Sequence, residues 1–126
     1  MNSLRRALYA QAAVWSLAGL LVAVAPGTLG SGPELAWIRI AGVEALGLSM
    51  VMVMVGHRVE ELWWWSWGFA LVSVGVTAVV LLFAAVGVHD THPGGPFWWS
   101  FGVVDLMLSL SLLYGLFVSS REQPLP

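Results

Sequence analysis

Residues 65–88 read WSWGFALVSVGVTAVVLLFAAVGV, a run without one charged side chain. About 20 mostly apolar residues, at 1.5 Å of helical rise each, cross the roughly 30 Å of hydrocarbon in a bilayer. Inside hydrocarbon a backbone must satisfy its own N–H and C=O groups, which a helix does within one segment. The run therefore predicts a transmembrane helix.

Outward from it, three further stretches meet the same test: Ala7 to Ala25, Ala36 to Gly56 and Phe97 to Val118. Between the four spans (7–25, 36–56, 65–88 and 97–118) lie the turn formers. These are Pro26, Gly27, Gly30, Gly32 and Pro33, then a charged link from His57 to Glu61, then Pro93, Gly94, Gly95 and Pro96. The expected architecture is an all-α, four-helix antiparallel transmembrane bundle forming a single domain over 1–126. Arg5 and Arg6 before the first span, with Ala23-Val24-Ala25 near its end, imitate a secretory signal. The apolar stretch, however, exceeds the usual 7 to 15 residues, and Pro26 would follow the cleavage point. A retained first span is expected.

The composition excludes several function classes. Of 126 residues, 59% are hydrophobic and 10% charged, against roughly 25% charged in an ordinary soluble domain. Five basic residues, seven acids and a net charge of −2 provide no phosphate-binding surface, so no nucleic acid is expected as a partner. The absence of Cys removes disulfide relays, thiolate nucleophiles and iron–sulfur ligation. The serines have no aligned His or Lys partner within the spans, so no catalytic residues and no enzyme activity are assigned.

Ionisable groups inside a span are costly and mark the place to look for function. Glu44 and Asp105 each lie about eight residues into an even-numbered span, at nearly one depth, and Arg39 is shallower. Helical phase sets Arg39 and Glu44 about 140° apart, so they are not an i,i+4 pair. Glu44 shares its face with Trp37, Ile40, Gly47 and Val51; Asp105 aligns with Trp98, Phe101 and Ser109. Gln11, Ser73 and Thr77 complete the polar residues that have to face inward. The expected site is an intramembrane polar cluster of Arg39, Glu44, Asp105, Thr77 and Ser109. It acts either as interhelical glue in an accessory membrane subunit or as the proton or ligand site of a small proton-coupled transporter or lipophilic-ligand carrier.

No cofactor is expected. Met50, Met54 and His57 along one side of the second span suit soft Cu(I), but a single helix supplies them. His89, Asp90 and His92 have ligand-type spacing in a Gly- and Pro-rich turn and lack further ligands, so no metal is assigned to them. Trp37, Trp98 and Trp99 are expected as anchors at one interface, and Trp63, Trp64 and Trp65 at the other. Small residues, including Ala41, Ala45 and Ser49 in the second span and Ser111, Gly115 and Ser119 in the fourth, permit close helix packing. The expected partners are the lipid bilayer and a second copy or a larger membrane complex.

The stretches Gln11-Ala-Ala-Val-Trp15, Ala25-Pro26, Trp37-Ile-Arg39-Ile-Ala-Gly42 and His57-Arg58-Val-Glu-Glu-Leu-Trp-Trp-Trp-Ser-Trp67 resemble a group of small four-span membrane proteins of GC-rich bacteria. The Trp37-Ile-Arg39 opening of the second span is also similar to the DoxX-like proteins. The resemblance implies the four-span architecture and brings no activity with it. Small multidrug-resistance transporters share the length and the span count, but their coupling glutamate lies in the first span, where this chain has Gln11 and Ser16.

Arg5, Arg6, Arg58 and Arg121 fall on one side of the expected membrane and Arg39 on the other, which predicts cytoplasmic N- and C-termini in a cell (inner) membrane. Reporter fusions at Pro126 and near Gly94 are expected to read as cytoplasmic and external respectively. An external Pro126 fusion would invert the topology.

Overall fold

The computed structural model describes residues 1–28, 32–86 and 95–123, all of them in helices and their connecting turns, with no strand among them. Four long helices form the bundle: α1 (Asn2–Val24), α2 (Glu34–His57), α4 (Ser66–Ala85) and α5 (Gly95–Glu122); a four-residue α3 (Val59–Leu62) joins α2 to α4. Each long helix, α4 together with its lead-in from Val59, is long and apolar enough to cross a membrane. Most ends extend past the spans read from apolarity, because helices continue through Arg5, Arg6 and Arg121 where the apolar count stops. Pro26, which lacks an N–H, follows the end of α1, and Gly32 supplies the positive φ of 64° just before α2.

Successive helices run antiparallel. Arg5 of α1 meets Gly56 at the far end of α2 and Glu60 of the adjoining α3, and Met1 lies 3.6 Å from the Glu122 carboxylate at the end of α5. The most extensive packing joins α1 to α2, then α4 to α5, then α1 to α5; α2 and α4 barely touch. Spatially the order is α2, α1, α5, α4, a four-sided bundle left open on its α2–α4 side.

Glycine makes these close crossings possible. A Cβ on Gly42 would sit 2.6 Å from the Ala23 nitrogen and 2.7 Å from the Gly19 carbonyl oxygen, so α1 and α2 meet backbone to backbone. A Cβ on Gly115 would lie 2.8 Å from Leu4 Cα, which sets the α1–α5 crossing in the same way. In lipid, where apolar side chains gain nothing by leaving solvent, such intimate van der Waals contact is a main source of helix association.

Packing differs along the bundle axis. At the end carrying Met1 and Glu122, Leu4, Leu8, Met52, Val59, Leu112 and Leu116 are completely buried. There Arg5 donates to the Gly56 carbonyl at 3.1 Å and pairs with Glu60 at 2.5 Å, Tyr9 Oη lies 2.6 Å from His57 Nδ1, and Arg58 pairs with Glu61. At the opposite end the residues of α1 and α2 that face each other are small, and the bundle opens. Trp63, expected as an interface anchor, is instead 3% exposed and part of the core, because the turn at Trp63–Trp65 folds its ring under the bundle. Trp64, Trp65, Trp37 and Trp99 are exposed, and Trp98 is half-buried.

Gly42→Ala is expected to destabilise the protein by ~1–3 kcal/mol, since neither facing backbone atom can yield without separating the helices. Gly75, whose added Cβ meets nothing within 4 Å, is the control. Gly75→Ala is expected to be neutral or stabilising by up to about 1 kcal/mol through helix propensity. Thermal unfolding in mild detergent measures both.

Candidate functional site

Asp105 is completely buried where α1, α4 and α5 converge, about ten residues and thus roughly 15 Å from the start of α5. Its Oδ1 accepts from Trp15 Nε1 at 2.7 Å, from Ser73 Oγ at 3.3 Å and, more weakly, from Gln11 Nε2 at 3.5 Å. Its Oδ2 accepts from Thr77 Oγ1 at 2.8 Å. Around it, Gln11 also donates to Ser73, the Ser73 and Ser109 hydroxyls are 2.5 Å apart, and Ser109 Oγ donates to the Asp105 carbonyl at 2.7 Å. Each partner lies where helical phase brings it inward: Ser73 and Thr77 are i,i+4 on α4, and Asp105 and Ser109 are i,i+4 on α5.

The chemistry of this cluster is that of an acceptor surrounded by donors. Indole N–H and amide NH₂ groups only donate, so Oδ1 has to accept. The Thr77 hydroxyl can donate or accept, so its contact with Oδ2 survives either protonation state of the carboxyl. No Arg, Lys or His pairs with Asp105 among the described residues. The cluster ties three helices together through one side chain.

Of the expected site residues, the structure brings together Asp105, Thr77 and Ser109, with Gln11 and Ser73. Arg39 and Glu44 stand apart from them. Both are exposed on α2, and among the described residues neither makes a hydrogen bond or ion pair. Matched depth does not bring the two acids into contact, because α2 packs on α1 and not on α5. The face shared by Trp37, Ile40, Glu44, Gly47 and Val51 is exposed throughout. His89, Asp90 and His92 lie outside the described residues.

Glu44 instead lines a half-open cleft of about 280 Å³ on the open side of the bundle. Trp15, Gly19 and Val22 of α1 form its floor, and Ala41, Gly42, Glu44, Ala45 and Leu48 of α2 form one wall. Val72, Val76 and Val80 of α4 form the other, and Phe97, Trp98 and Phe101 of α5 close it. The Gly19–Gly42 contact creates the space: it draws α2 onto α1 and away from α4. Trp15 is shared by the two regions, its ring against the cleft and its N–H on Asp105. Sequence reading had passed over Trp15. The available signal was its position four residues after Gln11, on the same helical face. No family model matches the chain, and neither does any curated protein or solved structure.

If Asp105 is chiefly a brace, Asp105→Asn is expected to cost less than about 1 kcal/mol, because its carbonyl still accepts from Trp15 and its NH₂ can donate to Thr77. Asp105→Leu leaves the donors of Trp15 and Thr77 short of an acceptor and is expected to cost about 2 kcal/mol or more. Thermal unfolding of both variants in detergent measures the difference.

Proposed function

We propose that this multi-pass membrane protein binds a lipophilic molecule in the cleft between α2 and α4, with the Asp105 cluster as the fixed frame against which the cleft is held. The observation that carries the reading is the cleft itself: concave, lined by aliphatic and aromatic side chains, with the Glu44 carboxyl in its wall. Ligand sites have this make-up, and their volumes begin at about 300 Å³. The opening faces sideways between two helices, so a ligand dissolved in the bilayer reaches it without crossing a headgroup layer.

Placement of the two acids favours a carrier or sensor of such a ligand over a proton relay through both of them. Asp105 is enclosed by donors, and Trp15 stands between it and the cleft. A second reading, an accessory subunit of a larger membrane complex, is favoured by the exposure of Arg39 and of the whole outer face of α2, which a partner helix would cover.

An uncharged aryl-diazirine photoprobe in lipid nanodiscs, with adducts mapped by mass spectrometry, separates these readings. Adducts are expected to concentrate on Val76, Val80 and Phe101 over lipid-facing Leu71 and Leu82. Val72→Trp, which fills the cleft, is expected to lower that labelling about tenfold, a loss of roughly 1.4 kcal/mol of binding, and Leu71→Trp to leave it unchanged. Labelling spread evenly over every lipid-facing residue, or indifferent to Val72→Trp, would overturn the cleft reading. Co-purification of a stoichiometric subunit protecting α2 would support the second.

A further inference from the structure

Glu44 is the one ionisable side chain among the described residues that line the cleft. It sits ten residues, about 15 Å, along α2 from Glu34, well inside the length of the helix. Among the described residues no basic group pairs with it there. Arg39 is absent from the cleft lining, and Arg5 and Arg58 are engaged with acids at the opposite end of the bundle. Arg121 lies at that same end, its guanidinium 4.2 Å from the centre of the Phe117 ring. A carboxylate in hydrocarbon with no partner is among the costliest arrangements a membrane protein can hold.

The rest of the lining favours positive charge as well. Trp15, Phe97, Trp98 and Phe101 gather around the cleft. The faces of such rings carry negative quadrupole potential, and a cation near them is attracted more strongly when water is excluded. An anion would meet repulsion from Glu44, and an uncharged apolar guest would leave the carboxylate uncompensated. We infer that the ligand of the cleft is a lipophilic monocation, an organic ammonium or a group of similar charge and size, with its charge at Glu44 and its apolar body against Trp15, Phe101 and the valines of α4. This inference rests on the cleft being the binding site. It adds the electrical character of the ligand and gives Glu44 the part of specificity-determining residue.

The test uses the full chain in phosphatidylcholine nanodiscs and two competitors of the photoprobe: a phenylbutyl trimethylammonium ion and its uncharged isostere, in which a tert-butyl group replaces the trimethylammonium. Each is titrated against the wild type, Glu44→Gln and Glu44→Asp. Comparing variants probe by probe cancels the different partitioning of the two molecules into lipid. Glu44→Gln is expected to weaken competition by the ammonium ion about tenfold, and competition by the isostere less than about twofold. Glu44→Asp, which keeps the charge, is expected to retain most of the preference for the cation. Glu44 is exposed and makes no hydrogen bond among the described residues, so Glu44→Gln should fold, and its unfolding temperature checks this. Should both competitors displace the probe in a manner sensitive to Val72→Trp while Glu44→Gln affects them equally, the cleft reading stands and the cation inference falls. Should neither displace it, and Val72→Trp leave labelling unchanged, both fall.

Discussion

One carboxylate, that of Asp105, decides how this bundle can be assembled. In hydrocarbon a polar group has no water to fall back on, so an acid in the middle of a helix requires donors from other helices at its own depth. Trp15 and Gln11 of α1 and Ser73 and Thr77 of α4 meet that demand from two directions. They thereby fix the rotation and the axial register of α1 and α4 about α5. A quarter turn of α1 or α4 would withdraw donors, and one of α5 would withdraw the carboxyl itself, each time bringing a polar group to lipid. Apolar packing at the end carrying Leu4, Leu8 and Leu116 adds density to this arrangement without having to specify it.

α2 escapes the constraint. It offers nothing to Asp105 and is held by its backbone contact with α1 and by the polar collar of Arg5, Tyr9, His57 and Glu60 at one end. The bundle thus divides into a three-helix frame joined by hydrogen bonds at its centre and a fourth helix joined by close backbone packing and by hydrogen bonds at one end only. Glu44 belongs to the second part and Asp105 to the first, although they are chemically alike and nearly level.

Length and apolarity were enough to read the four spans, since crossing a bilayer leaves little freedom in either. Helical phase was equally informative within one helix: Trp37, Ile40, Glu44, Gly47 and Val51 were grouped from the sequence, and all of them share one exposed face. What periodicity could not supply is which helix stands beside which. Depth alone suggested that Glu44 and Asp105 share a layer, and whether they touch depends on α2 lying across the bundle from α5. Trp15 was missed because an indole in an apolar helix looks like packing until its N–H has a direction. A run of tryptophans reads as an interfacial belt, and only the turn at Trp63–Trp65 shows that the Trp63 ring goes inward while Trp64 and Trp65 stay exposed.

The Gly19–Gly42 contact also has a mechanical side. Among the described residues no hydrogen bond joins α2 to α4 or α5, so swinging α2 about that crossing leaves every bond of the three-helix frame intact. Beyond the Arg5–Gly56 and Tyr9–His57 bonds at its far end, which act as a tether, the resistance to such a swing is dispersion spread over many weak contacts of ~0.1–0.2 kcal/mol per atom pair. A gap bounded on one side by a hydrogen-bonded frame and on the other by a helix on a smooth pivot has an adjustable width. Guests of unequal girth can then be accommodated at graded cost, with the elastic element in the crossing and not in the chemistry of the lining.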